Sequence, residues 1–174
     1  TSSDHGGTAM VMTFDPHPPK IIRPDKAPKL LMTIEQRLEA LQNAGVEVAV
    51  VVNFTYELSR LEPEKFVKEV LVEWLKVSEV LVGSNFLFGR DRTGNFSLLR
   101  RLGQEHGFRT GKIEPVRYKQ FVVSSTRVRR LVSEGEVDEA AALLGHSYWL
   151  NGEVVQGKKR GRELGYPTAN IITN

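Results

Sequence analysis

Residues 33–52, TIEQRLEALQNAGVEVAVVV, hold one helix and one strand in the order that decides the fold class. Thr33 and Gln36 form the pair of a capping box, Ile34, Leu38 and Leu41 recur at helical spacing, and Gly45 offers the left-handed stop. The spacing predicts a helix over 34–44. The following run, Val46 to Val52, is too short for a helix and apolar enough to be covered on both faces, as a strand inside a parallel sheet is.

The same unit recurs on both sides. Upstream, Thr8 to Phe14 reads as a buried strand that stops at Asp15-Pro16-His17-Pro18-Pro19. Downstream, Pro63 stands in the first turn of a helix with Phe66, Val67, Val70, Leu71, Trp74 and Leu75 as its apolar stripe, and Val80-Leu81-Val82 is the next strand. A glycine-punctuated loop runs from Gly83 to Asn95, then a helix carries Leu98, Leu99 and Leu102 to Gly107, and a strand spans about 109–114. Ser124-Ser125-Thr126 opens a helix ended by Gly135, and a shorter helix over 137–144 ends at Gly145. Strand–helix alternation with short connections predicts an α/β fold, an open parallel sheet flanked by helices. From Ser147 the character changes, and the turn pair Asn151-Gly152 with a glycine-rich basic loop announces a β-rich module.

The chain has 174 residues, 40% of them hydrophobic, enough for one substantial core but not for a second complete domain. A net charge of +3 does not imply a nucleic-acid partner. There is no cysteine, hence no disulfide framework or thiolate metal site, and cytoplasm is the expected compartment. No apolar run has the length of a membrane span, and the first residues lack the features of a signal peptide.

In an open parallel sheet, ligands bind beyond the carboxyl ends of the strands. Here those ends are Phe14 to Pro18, Asn53-Phe54-Thr55, Gly83 to Gly89, and the helix start at Ser124-Ser125-Thr126. The helix start combines hydroxyls and unpaired backbone N–H groups with Arg127, Arg129 and Arg130 nearby, an arrangement suited to phosphate. A serine there equally fits the role of a simple cap. Phe86 and Phe88 alternate beside Asn85, so a planar ring could stack on one while the amide reads its edge; equally, both rings could plug the end of the sheet. His17 has no partner at metal spacing, and no Ser-His-Asp or Cys-His set can be assembled. Near the C-terminus, glycines and basic residues from Gly157 onward precede Thr168 and Asn170, hard-oxygen donors suited to Mg2+, without the spacing of a Walker loop.

Four stretches, in order, carry a family resemblance: Thr13 to Pro18 (TFDPHP), Val82 to Gly89 (VGSNFLFG), Ser124 to Arg129 (SSTRVR) and Gly161 to Asn170 (GRELGYPTAN). Together they resemble the bacterial bifunctional riboflavin kinase/FMN adenylyltransferases, and Leu143 to Tyr148 resembles the linker between the two modules. The resemblance implies a Rossmann-like nucleotidyltransferase domain over 1–145, followed over 146–174 by the start of a β-barrel riboflavin kinase. It implies transfer of AMP from ATP to FMN, giving FAD and pyrophosphate, and phosphorylation of riboflavin by ATP, both with Mg2+. Carried over residue by residue, Ser124, Ser125, Thr126 and Arg129 would hold phosphates, beside Arg127 from the helix-start reading, and Arg129 would stabilise the leaving charge. Gly83 and Asn85 would stand at the nucleotide site; Phe14, Phe54 and Phe88 would contact the flavin ring. Thr168 and Asn170 match the P-T-A-N motif for Mg2+ and ATP phosphates, with Asn170 in the kinase catalytic set and Gly161 and Arg162 in a phosphate loop. Partners would be these small molecules, with no nucleic acid or membrane, and a homo-oligomer is left open.

Two departures accompany the resemblance. The family's opening strand and H-x-G-H motif have no counterpart here, as if the chain began about 40 residues late on the size of a βα unit. It also stops four residues after Asn170. The expectation is therefore that this polypeptide alone has little catalysis, with a non-catalytic flavin- or nucleotide-binding fragment, or another nucleotidyltransferase of the same fold, as alternatives.

Overall fold

The computed structural model describes residues 6–157, 165–166 and 169–173. It divides into two compact units, Thr1–Val116 and Arg117–Asn174. In the first, β1 (Met10–Asp15) is followed by the short α1 (Pro18–Ile22), α2 (Ile34–Asn43), β2 (Val48–Asn53), α3 (Tyr56–Ser59) and α4 (Pro63–Lys65). α4 winds directly into a π-helix, Phe66–Trp74, and then β3 (Glu79–Gly83), α5 (Phe96–His106) and β4 (Arg109–Ile113) complete the unit.

The capping box at Thr33 forms in both directions: Gln36 N–H donates to Thr33 Oγ1 at 3.3 Å, and Thr33 N–H donates to Gln36 Oε1 at 2.9 Å. Strand pairing is parallel, β1 with β2 from Met10 opposite Val48 to Asp15 opposite Asn53, and β3 with β4 from Glu79 opposite Arg109 to Gly83 opposite Ile113. The α/β class is as expected, and among the described residues the parallel sheet takes the form of two two-stranded sheets.

Two expectations about burial need correction. Among the described residues β2 pairs with β1 alone, and Val48 and Val51 remain 38% and 41% exposed rather than covered on both faces. Trp74, assigned to an apolar stripe, is 57% exposed. The reason lies in the helix pitch: Leu75 N–H donates to Val70 O at 2.9 Å, five residues back, so each turn takes up about one residue more than an α-turn. At that pitch Phe66, Val67 and Leu71 face inward, and a 3.6-residue spacing carries Trp74 off the buried face. The core assembles Phe66, Val67, Leu71 and Val82 with Phe88, Leu99, Leu102 and Phe108.

The second unit starts with a two-residue hairpin, β5 (Arg117–Tyr118) and β6 (Phe121–Val122), in antiparallel pairing. α6 (Ser125–Glu134) and α7 (Val137–Leu144) follow, each ended by a left-handed glycine, Gly135 and Gly145, and they bury Val128, Leu131, Ala140 and Leu143. β7 (Gly152–Val155) pairs antiparallel with β8 (Asn170–Thr173). The pair Asn151-Gly152 is thus no hairpin turn, because Gly152 opens β7. A Cβ there would run into Ile172 O and the Ile171 side chain, so glycine serves close strand approach.

Candidate functional site

In the first unit the carboxyl end of β1 is braced by α2. Arg37 Nη1 donates to Thr13 Oγ1 at 2.9 Å and to Phe14 O at 3.2 Å, tying the strand end to the helix through a part-buried guanidinium. One residue past β2, Phe54 N–H donates to Asp15 O at 3.2 Å, which continues the β1–β2 ladder into the loops. That continuation brings the Phe14 and Phe54 rings to 5.3 Å in an edge-to-face pair, a favoured aromatic geometry. Phe14 is half-buried and Phe54 buried.

The loop after β3 is fixed in turn. Phe86 N–H donates to Gly83 O at 3.1 Å, a tight turn that leaves Asn85 exposed at the strand's end. Phe88 and Gly94 exchange two backbone hydrogen bonds, 3.0 and 2.9 Å. Arg90 donates its backbone N–H to Leu61 O at 2.8 Å and pairs with Glu62 at 2.7 Å, which anchors the loop to the segment before α4. Phe86 stacks on Phe88 at 5.4 Å with 17° between the rings, and Phe88, 7% exposed, is seated in the core against Phe66. Of the two rings in this loop, Phe86 is the one with exposed surface and Phe88 is the support behind it.

The second unit holds the helix start. Ser124, the N-cap of α6, accepts the N–H of Arg127 at 3.3 Å, while Ser125 and Thr126 occupy the first exposed turn. The arginines differ in their surroundings. Arg130 is committed to Glu134 one turn on, at 2.9 Å. Arg129 is half-buried. Arg127 lies flat enough on Phe121 that its guanidinium carbon is 3.6 Å from the ring centroid. Phe121, Arg127, Tyr118 and Lys119 line a concavity of about 220 Å³ together with Asp138, Glu139, Ala142 and Leu143 of α7.

Asn170 opens β8, exposed, opposite Val155. Its side-chain amide lies over the backbone of Gly157 so closely that a Cβ at 157 would collide with Nδ2. Gly161, Arg162 and Thr168 lie outside the described residues. Among the described residues no three His, Cys, Asp or Glu side chains converge on a metal position. Asn170 itself offers a side-chain amide oxygen, a hard donor of the kind Mg2+ accepts.

Two contributors were not read from the sequence. Arg37 had no signal beyond its place in a capped helix, since its hydrogen bonds reach back 24 residues to Thr13. Phe121 lies in a two-residue strand too short for a periodic pattern.

Comparison with known proteins adds an independent line. The family model for FAD synthetase matches residues 1–127, and that for riboflavin kinase matches residues 144–174. Proteins named bifunctional riboflavin kinase/FMN adenylyltransferase are similar to it in several bacteria. One from Listeria monocytogenes is 37% identical over 165 residues, 94% of this chain and 52% of the relative. One from Escherichia coli K12 is 36% identical over 162 residues, 93% and 52%. One from Buchnera aphidicola of Schizaphis graminum is 34% identical over 163 residues, 93% and 52%. The chain thus spans about half the length of the curated relatives it matches. A solved structure from Streptococcus pneumoniae titled a macrolide-efflux protein superimposes with a TM-score of 0.84 at 26% identity, over 99% of this chain and 56% of that one. Among the described residues no helix is long and apolar enough to cross a membrane.

Proposed function

The chain belongs to the FAD synthetase family, and on that premise we propose that it serves transfer of AMP from ATP to FMN, with release of pyrophosphate and formation of FAD. The observation that carries the reading is the start of α6, where the Ser124 cap and the exposed Ser125 and Thr126 stand at the positive end of a ten-residue helix whose third residue is Arg127. In the transfer, a phosphate oxygen of FMN attacks the α-phosphorus of ATP, the bond from that phosphorus to the bridging oxygen of the β-phosphate breaks, and pyrophosphate leaves. Positioning and charge stabilisation supply most of the rate in such reactions, so the lack of a protein nucleophile is no obstacle. Ser124, Ser125, Thr126, Arg127 and Arg129 hold the phosphates in this reading, with Arg129 facing the charge that develops on the leaving group. Gly83 and Asn85 are assigned to nucleotide binding. Phe14, Phe54 and Phe88 serve the flavin ring in this reading, Phe88 as the buried ring behind Phe86.

Residues 1–145 form the adenylyltransferase part and 146–174 the first part of a barrel that phosphorylates riboflavin. There Asn170 and Thr168 would hold Mg2+, which would shield and polarise the transferred phosphate, and Gly161 and Arg162 would contact ATP phosphates. The partners are ATP, FMN and riboflavin, in the cytoplasm. The described part of the second module is the β7–β8 pair, which supports its β character.

A titration of the 174-residue chain following FMN fluorescence tests the acceptor. Saturable quenching by the protein, competed by riboflavin and not by 4′-phosphopantetheine or glycerol 3-phosphate, supports the flavin reading. Equal competition by the non-flavin acceptors would transfer the assignment to another nucleotidyltransferase of this fold.

A further inference from the structure

Arg127 is held in an unusual way. It is the third residue of α6, so its cationic head starts from the positive end of the helix, where the backbone dipole disfavours it. A carboxylate partner would relieve that cost, and Asp138 and Glu139 line the same concavity. Yet among the described residues no ion pair with Arg127 forms, and its Nε is buried with no hydrogen-bond acceptor. What it meets is the Phe121 ring, well inside the range of about 6 Å for cation–π attraction.

The difference between the two kinds of partner is chemical. A carboxylate orients an arginine and cancels its charge, as Glu134 does for Arg130 at 2.9 Å. An aromatic face orients a guanidinium and leaves the charge intact. The ring is itself placed by a tight device: Phe121 pairs with Tyr118 across the β5–β6 hairpin, whose turn has Lys119 at φ +54°. Lys119 Nζ lies 5.3 Å over the Tyr118 ring, so the hairpin brings a second cation to the same wall on a second aromatic face.

We propose that Phe121 is a positioning residue for phosphate binding: it fixes the Arg127 guanidinium beside the first turn of α6 with its full charge available to an incoming polyphosphate. The proposal rests on the reading of the α6 start as the phosphate site.

Calorimetric titration of the 174-residue chain with inorganic pyrophosphate tests it. Phe121→Leu, which keeps apolar bulk and removes the π-face, should weaken binding about three- to thirty-fold, and Phe121→Trp should restore it. In an Arg127→Gln background the same Phe121→Leu change should alter affinity by less than about two-fold, because the partner it acts through is gone. A Phe121→Leu protein that binds like wild type, while Arg127→Gln is impaired, would overturn the positioning role and leave the phosphate site standing. No pyrophosphate binding by the wild-type chain would overturn both. A readout without ligand guards against a folding effect: the Arg127 Nε–H proton resonance should be shifted upfield by the ring in wild type and return to its usual position in Phe121→Leu. An unshifted wild-type proton would contradict the stacking on which the role depends.

Discussion

Gly94→Ala should loosen the ring-bearing loop after β3 at a cost that can be worked out atom by atom. A Cβ at Gly94 would stand 2.8 Å from Phe88 O and 2.9 Å from Cε1 and Cε2 of the Phe88 ring. Comfortable carbon contacts are about 3.5–4.0 Å, so something must give by a large fraction of an ångström. The backbone resists, since Phe88 and Gly94 exchange hydrogen bonds of 3.0 and 2.9 Å. The ring resists as well, packed between Phe86 and Phe66 in the core. Forcing a methyl into such a site costs about 1–3 kcal/mol. Urea unfolding followed by Trp74 fluorescence, in a Trp149→Phe background so that the first unit alone reports, should show it. With a slope of about 2 kcal/mol per molar urea, the midpoint should fall by about 1 M. If the midpoint moves by less than about 0.2 M, the close fit of Gly94 against Phe88 is not what holds the loop.

Other perturbations act on separate elements. Leu99→Ala removes a side chain that is 1% exposed in the centre of the first core and should cost about 2–5 kcal/mol, measured as the same urea midpoint shift. Arg37→Met deletes the donor to Thr13 Oγ1 and Phe14 O while keeping the aliphatic stem; about 1–2 kcal/mol should be lost, with faster amide hydrogen exchange at Asp15 and Phe54. Thr33→Ala should cost about 1 kcal/mol through the lost cap. It should also change the acid limb of stability. The Glu35 carboxyl is held below the ordinary value of 4.5, first by the Thr33 hydroxyl and then by its own backbone N–H. A depressed folded-state pKa adds stability that is present above the unfolded value and fades as pH falls through the folded one. Urea midpoints taken from about pH 6 to about pH 3 should therefore decline less steeply in Thr33→Ala than in wild type.

The elements that were legible in the sequence are those whose signals are local. The Thr33 box, the glycine stops at Gly135 and Gly145 and the serine cap of α6 depend on residues within one turn, and each appears where it was read. Val48, Val51 and Trp74 failed because burial depends on what lies across from a residue and on helix pitch, neither of which a hydrophobic pattern encodes. The Asn151-Gly152 pair marks no hairpin because glycine is equally demanded where two strands need a missing Cβ. At the candidate site, the helix start and the aromatic loop were legible as motifs. The bracing by Arg37 and the ring beneath Arg127 were not, since each is a long-range or irregular contact made by residues of ordinary type.

The most direct measurement supplies riboflavin, ATP and Mg2+ to the protein expressed from the whole reading frame that contains this chain, and separates FMN from FAD by chromatography. Both products should appear, with FAD synthesis lost on Ser125→Ala or Arg129→Ala and FMN synthesis lost on Asn170→Ala. Neither product appearing would contradict the transfer chemistry and leave flavin or nucleotide binding without turnover as the function of the fold.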